Sequence, residues 1–474
     1  MISRLGLAIS GIFRRTCPDP FILAIGLTVV TGGLIAWLQP DPNGAGVLTA
    51  HSLADLIGYW QGGFWDQLTF AMQMCLILVT GHALASSPPI RRLIRGIASL
   101  PRSAPAATLL VALVAMLGGV VHWGLGLIAG ALIARDVGHA LQRRGIAHHY
   151  PLLAAAGYLG LLVWHGGFSG SAPLKMTTAA DVASVFGADA PYATIPLTGT
   201  IASTSNLVIT GVAVLLAAGT VMLLVPRRDE DMVPCGTFDV ADPPARTWPP
   251  MRSLPDVLDG SPLMSVVLAL PILLYLFSPL VIRLAPSVAD AAWLPPGPDW
   301  ARFGPNQVNA LFLALGLVMH GTPRRYLAAV DDAVRGCAGI ILQFPLYAGI
   351  MGLMASSGLT TMLSDGIART ADADTLPLFT FVGAAIVNLF VPSGGGQWVV
   401  QGPIAMDAAR ELGADPARIV MSVAYGDQLT NMLQPFWALP LLAITGVRAR
   451  DIVGYTAIVM LVVGAWIALA LWLL

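Results

Sequence analysis

The chain has 474 residues, 56% of them hydrophobic and 11% charged, with a net charge of −1 and a mean hydropathy of +0.75. That is too apolar and too poor in charge for a soluble enzyme of this length, and the lack of a basic field speaks against a nucleic-acid partner. Apolar runs of about 17 to 25 residues recur along the chain, each able to cross a hydrocarbon core of roughly 30 Å as a helix, whereas a β-barrel would show short alternating segments.

Arginines mark the cytoplasmic side. Arg4, Arg14 and Arg15 precede the first run, and Cys17-Pro18-Asp19-Pro20 interrupts it with no clear cleavage site beyond. Residues 21–38 are therefore expected to remain as a first membrane helix running outward from a cytoplasmic N-terminus. Residues 66–86 return to a loop carrying Arg91, Arg92, Arg95 and Arg102. Residues 104–134 then start and finish among arginines, with Arg135, Arg143 and Arg144 following, and their middle holds Gly118-Gly119 and His122-Trp123-Gly124-Leu125-Gly126. A re-entrant helical hairpin satisfies both facts. Residues 151–175 cross outward, but Trp164-His165-Gly166-Gly167-Phe168-Ser169-Gly170-Ser171-Ala172-Pro173 is too rich in glycine, serine and proline for a continuous helix, so an unwound span is expected. Asp181 and Asp189 fall outside, and 201–225 return to Arg227-Arg228. The Pro- and Asp-rich stretch 226–260 reads as a cytoplasmic linker between a first half, 1–225, and a second, 261–474.

The second half repeats the plan upside down. Residues 262–284 run outward, 306–320 return to Arg324-Arg325, and 336–355 run outward again. Residues 376–410 enclose Val391-Pro392-Ser393-Gly394-Gly395-Gly396-Gln397-Trp398 and read as a hairpin entering from outside. Residues 417–445 cross inward, broken at Asn431-Met432-Leu433-Gln434-Pro435, and 452–474 place the C-terminus in the periplasm. Ala85-Ser86-Ser87 matches Ala355-Ser356-Ser357, and further matches keep an offset of about 270 residues, the sign of an internal repeat of the kind found in transporters. The expected fold is an all-α polytopic membrane protein of about nine transmembrane spans plus two re-entrant hairpins, in two inverted-topology repeats with discontinuous helices.

The four breaks are the candidate binding site. Half-helix N-termini point free N–H groups at a ligand and suit a carboxylate, whereas C-terminal ends offer carbonyls to a cation. The lining would comprise His122, Trp123 and Gly124 at the first tip and Trp164, His165, Gly166, Gly167, Ser169 and Ser171 in the first break. Ser393, Gly394, Gly395, Gly396, Gln397 and Trp398 would supply the second tip, with Asn431, Gln434 and Pro435 in the second break. Trp123, Trp164, Trp398 and Phe436 could wall a short apolar tail. His122, His165, Asn388 and Asp427 are candidates for ion coupling, because histidine titrates near neutral pH and a carboxylate at membrane depth is costly. Against this stands the simpler reading that small residues serve helix packing and the histidines structural hydrogen bonds. No cluster has metal-enzyme spacing and no nucleotide-cradling motif occurs, so the chain is not expected to be an enzyme or to carry a cofactor. The coupling ion would be Na+, near the hairpin tips, or H+. Four widely spaced cysteines, Cys17, Cys75, Cys235 and Cys337, read as packing residues.

In these stretches the sequence resembles the short-chain fatty acid transporter family of the ion transporter superfamily. The resemblance is carried by Thr80-Gly81-His82-Ala83-Leu84-Ala85-Ser86-Ser87, Gly166-Gly167-Phe168-Ser169-Gly170-Ser171, Gln343-Phe344-Pro345-Leu346-Tyr347-Ala348-Gly349-Ile350, the Val391 to Trp398 run with Gln401-Gly402-Pro403, and Gln434-Pro435-Phe436-Trp437-Ala438-Leu439-Pro440. It implies a symporter that takes up butyrate or acetoacetate across the bacterial inner membrane, working as a homodimer by an elevator motion. His122 stands where the family carries asparagine, and Trp164-His165-Gly166 where it carries Trp-Gly-Gly, which bears on substrate range and coupling ion. A transporter of another small carboxylate, an ion channel, and an intramembrane enzyme or sensor are the alternative readings.

Overall fold

Prolines punctuate the apolar runs, and helices start at them. In the computed structural model Pro20, Pro262, Pro305 and Pro416 each open a helix, at the position where a missing N–H costs no hydrogen bond. The structure describes residues 2–43, 48–66, 68–187, 191–238, 252–288, 291, 293–295, 297–298, 304–368 and 371–473, without the side chains of 2, 367, 368 and 435. Asp189 and residues 239–251 of the expected linker lie outside these. Among the described residues every regular element is a helix.

Nine of the described helical segments are long and apolar enough to cross a membrane. Polarity is turned inside out relative to a soluble protein. Val29, Trp37, Leu215 and Leu461 are exposed, while His165, Asn388, Gln397, Asp427, Gln428, Asn431 and Gln434 are buried. Apolar side chains outside and amides inside fit hydrocarbon around the protein and a polar interior.

The chain forms two compact units, and each draws on both sequence halves. The smaller comprises Thr69–Leu100 and Asp239–Ile341. Its core joins Ala83, Ala269, Ala314, Leu317, Tyr326 and Ala329, and His320 Nε2 donates to the Ala83 carbonyl at 2.7 Å.

The larger unit comprises Met1–Leu68, Pro101–Phe238 and Leu342–Leu474 and contains all four breaks. Its element order recurs. A hairpin, Ala104–Val121 and Trp123–Arg143, is followed by a broken helix of Tyr150–Tyr158, the short turns Leu159–Leu162 and Trp164–Gly166, and Ser171–Leu174. A second hairpin, Leu376–Asn388 and Gly394–Leu412, is followed by Pro416–Thr430, the turn Asn431–Leu433, and Pro435–Thr445. A long helix closes each series, Thr204–Leu224 in the first and Ala449–Leu473 in the second. Residues 226–238 fold back on the first series, where the Tyr150 N–H donates to Val233 O at 2.8 Å and the Cys235 N–H to His148 Nε2 at 3.2 Å.

The structure departs from the expected bounds in four places. The second arm of the first hairpin runs to Arg143, beyond the expected end at 134, because Arg135 is neutralised by Asp136 at 3.1 Å and does not end the helix. Each arm is then long enough to be a span by itself. The expected outer loop holds a helix, Leu53–Phe64, started by a capping box in which Ser52 and Asp55 satisfy each other's backbone N–H groups. The expected basic loop likewise holds Pro88–Ala98. An additional helix, Ile2–Thr16, precedes the first expected span and lies on Ala449–Leu473, with Arg14 Nε 3.2 Å from Asp451 Oδ1.

Candidate functional site

At the first tip the chain leaves the helix at His122, which adopts extended backbone and caps the next arm. Its Nδ1 accepts the Gly124 N–H at 3.1 Å and its carbonyl accepts that of Gly126 at 3.0 Å. Ser169 Oγ accepts the Trp123 N–H at 3.0 Å, and Val120 O accepts the Phe168 N–H at 2.8 Å. The first tip is thus sewn to its own broken helix, and its two leading N–H groups are taken, that of Trp123 by Ser169 and that of Gly124 by His122.

The second tip differs. Ser393 caps Gly394–Leu412, its Oγ accepting the Gly396 N–H at 3.2 Å and its carbonyl that of Gln397 at 2.7 Å. The Gly394 and Gly395 N–H groups have no acceptor among the described residues. Gly394 is pressed onto the first broken helix, where a methyl group would sit 2.7 Å from Trp164 Cη2 and 2.9 Å from His165 Cε1. A methyl group on Gly395 would meet only Ser171 Oγ, at 4.0 Å.

Behind this tip the two broken helices are tied together through His165. Its Nε2 receives the Ala172 N–H at 3.0 Å, so the ring proton sits on Nδ1 and is donated to Asp427 Oδ1 at 3.0 Å. Both side chains are fully buried. Gln428 Oε1 accepts the backbone N–H groups of His165 at 3.0 Å and Gly166 at 3.2 Å. Asn206 donates to Gly166 O at 2.9 Å and accepts from the Tyr425 hydroxyl at 2.9 Å. Tyr158 donates its hydroxyl to the carbonyls of Asn431 and Gln434, both at 3.0 Å. The turns at Trp164–Gly166 and Asn431–Leu433 therefore find side-chain partners, as burial in an apolar medium requires.

Asn388 holds the second hairpin to the second break. Its Nδ2 lies 2.7 Å from Asp427 O and 3.0 Å from both Thr430 Oγ1 and Asn431 Oδ1, and Gln434 Nε2 donates to Asn388 O. These bonds leave one buried amide donor, Asn431 Nδ2, and several oxygens over. Asn388 Oδ1, Gln434 Oε1, Gln397 Oε1 and Asp427 Oδ2 are buried without a hydrogen-bond partner. Unmatched acceptors of this kind cost about 1–3 kcal/mol each unless something positive meets them.

Several expected lining residues have other work. Gln397 donates to Ala384 O at 2.9 Å and to Gln401 Oε1 at 2.8 Å, so its open atom is an acceptor rather than a donor for a carboxylate. Trp398 is wholly buried with Ala172, Met176, Ala405 and Met406 and is packed edge-on by Phe186, which makes it core rather than cavity wall. Ser169 and Gly124 are bound into the first tip. Trp123 stands edge-on to Trp437 at 5.4 Å, and Phe436 stacks on Phe344 at 4.1 Å. Pro435 opens its helix, and its side chain lies outside the description. Tyr158, Asn206, Tyr425 and Gln428 were not singled out in the sequence, although each is a polar group within an apolar run.

A family model described as "Short chain fatty acid transporter" matches residues 1–235 and 301–474. The chain belongs to the short-chain fatty acid transporter family. It is 36% identical over 467 residues to an Escherichia coli K12 protein named "Putative short-chain fatty acid transporter", covering 98% of each chain. A Haemophilus influenzae protein of the same name is 36% identical over 464 residues, covering 96% of each. Both hairpins and both broken helices of this family member fall inside the matched segments. Among solved structures the YdaH transporter of Alcanivorax borkumensis aligns over 96% of this chain and 98% of its own, with 17% identity and a TM-score of 0.42, too weak a likeness to carry weight.

Proposed function

We propose that this transporter moves short-chain fatty acids such as butyrate or acetoacetate across the bacterial inner membrane together with Na+, by secondary active transport. The carrying observation is two unaccepted N–H groups at Gly394 and Gly395, with Gly394 packed on His165, which bonds Asp427, together with the surplus oxygens of Asn388, Gln434, Gln397 and Asp427. Amides at a helix N-terminus favour a carboxylate, and surplus acceptors favour a cation. A site of this kind binds each ion better when the other is present, which is the basis of cotransport.

Sodium is favoured over protons because both histidines already accept a backbone N–H. Protonating His122 Nδ1 or His165 Nε2 would set a new N–H against that of Gly124 or Ala172. Re-entrant hairpins in an inverted repeat, a homodimer and an elevator motion complete the proposal, with the N-terminus cytoplasmic and the C-terminus periplasmic. The same site would admit other small monocarboxylates, and competition with labelled butyrate ranks them.

Proteoliposomes with separately imposed gradients test the reading. A sodium gradient should concentrate labelled butyrate or acetoacetate, and a pH gradient alone should not. Uptake of neither acid under any gradient overturns carboxylate transport, and accumulation driven by pH without sodium reassigns the coupling ion. His122→Asn should retain uptake with an unchanged pH profile from about pH 6 to 8, because asparagine caps helices as well as any residue. A shifted profile would make His122 a titrating group of the cycle.

A further inference from the structure

A second binding region, unconnected with the breaks, opens where the first hairpin and the helix Thr204–Leu224 meet. A cavity of about 520 Å³ is lined there by Arg102, Arg227, Asp229, Met222, Leu223 and Met232, among others. Arg102 and Arg227 have no carboxylate within ion-pair distance among the described residues, whereas neighbouring Arg228 is paired with Glu230 at 3.0 Å. Arg144 donates to Pro101 O at 2.7 Å and fixes the chain that delivers Arg102. The cavity lies beside the start of one long helix and the end of another, so their macrodipoles oppose. Two guanidinium groups against the single Asp229 carboxylate therefore set its charge, which suits a monoanion.

The other half of the ligand is written in the apolar flank. Val208, Leu215 and Met222 recur at seven-residue intervals on Thr204–Leu224 and so lie on one side of it, with Val208 and Leu215 exposed. That strip runs from the cavity along a helix long and apolar enough to span a membrane. Unpaired arginines at the foot of a lipid-facing apolar strip occur where headgroups meet acyl chains. We infer that this cavity binds an anionic glycerophospholipid, its phosphodiester between Arg102 and Arg227 and an acyl chain along Val208, Leu215 and Met222.

The test uses the full chain purified in a neutral detergent, with phosphatidylglycerol, phosphatidylcholine or inorganic phosphate added and bound lipid counted by native mass spectrometry. Phosphatidylglycerol should be retained in preference to phosphatidylcholine. Arg102→Gln combined with Arg227→Gln should weaken that retention about 30-fold, from about one kcal/mol per basic residue at an anionic surface. Arg228→Gln, at an exposed and already paired position, should leave it unchanged. Equal retention of the two lipids, retention undiminished in the double variant, or displacement of the lipid by millimolar phosphate would each overturn the inference, the last assigning the cavity to a free anion. Circular dichroism of the double variant guards against misfolding, and an unfolded double variant is replaced by Arg102→Lys with Arg227→Lys, which keeps charge and should keep retention.

Discussion

Asp427→Asn is expected to weaken sodium-driven uptake, raising the sodium concentration for half-maximal transport at least about 10-fold, while the protein still folds. The substitution is nearly isosteric and separates two roles of the carboxylate. Oδ1 receives the His165 Nδ1–H and can be replaced by the amide oxygen, so the tie between the broken helices survives. Oδ2 is the buried oxygen without a partner, and there asparagine places an NH2 group that repels a cation. At the proposed cation site, replacing a carboxylate oxygen by an amide nitrogen removes far more affinity than loss of a neutral ligand would, because water is not there to screen it. Uptake into proteoliposomes over a sodium series, with a thermal melt of the same preparation, reads both roles. Wild-type sodium dependence in Asp427→Asn would confine Asp427 to positioning His165 and remove it from ion coupling. Asp427→Ala should behave differently, lowering the melting temperature as well, because it leaves His165 Nδ1–H without an acceptor in a buried site.

The breaks were legible because glycine, serine, proline and amides stand out inside apolar runs, and the bilayer allows such residues only a few uses. What they do to one another was not. His165 and Asp427 are 262 residues apart, and each was recognisable alone as a costly buried group, but only the folded chain pairs them. Gln428 stands beside Asp427 in the sequence with no mark of its role, yet it supports two backbone N–H groups of the first break. Trp398 illustrates the opposite error. It follows the second tip by one helical turn and looked like a cavity wall, yet the helix turns it away from the tip into a core where Gly402 leaves room for its ring. Arg135 ends no helix in the fold, where its guanidinium is paired with the adjacent Asp136, so a lone positive charge is a poor marker of a span's end. The helix Leu53–Phe64 could have been found, since Ser52 and Asp55 have capping-box spacing. Composition exposes the places where the backbone must be rescued, whereas the rescuing groups come from distant helices and are fixed only by packing.

Neighbouring glycines at the second tip should respond to alanine in opposite ways. Gly394→Ala pushes a methyl group into the Trp164 and His165 rings at distances under 3.0 Å, so the tip must back away from the first broken helix. Overpacking at such a contact costs about 1–3 kcal/mol, and the displaced tip no longer aligns its N–H groups. Uptake should fall by at least about 10-fold and the melting temperature with it. Gly395→Ala has free space, with Ser171 Oγ at 4.0 Å as its one neighbour, and alanine suits a helix better than glycine by about 0.5–1 kcal/mol. Its melting temperature should hold or rise. Its KM for butyrate should rise about 10-fold, because the methyl group fills the space in which the carboxylate would reach the Gly394 and Gly395 N–H groups, and a hydrogen bond to a charged group is worth about 1.5–3 kcal/mol. The contrast isolates the binding step: one variant damages the joint between hairpin and broken helix, the other damages only what the joint presents. An unchanged KM in Gly395→Ala would move the carboxylate away from this pair of amides and with it the proposed site.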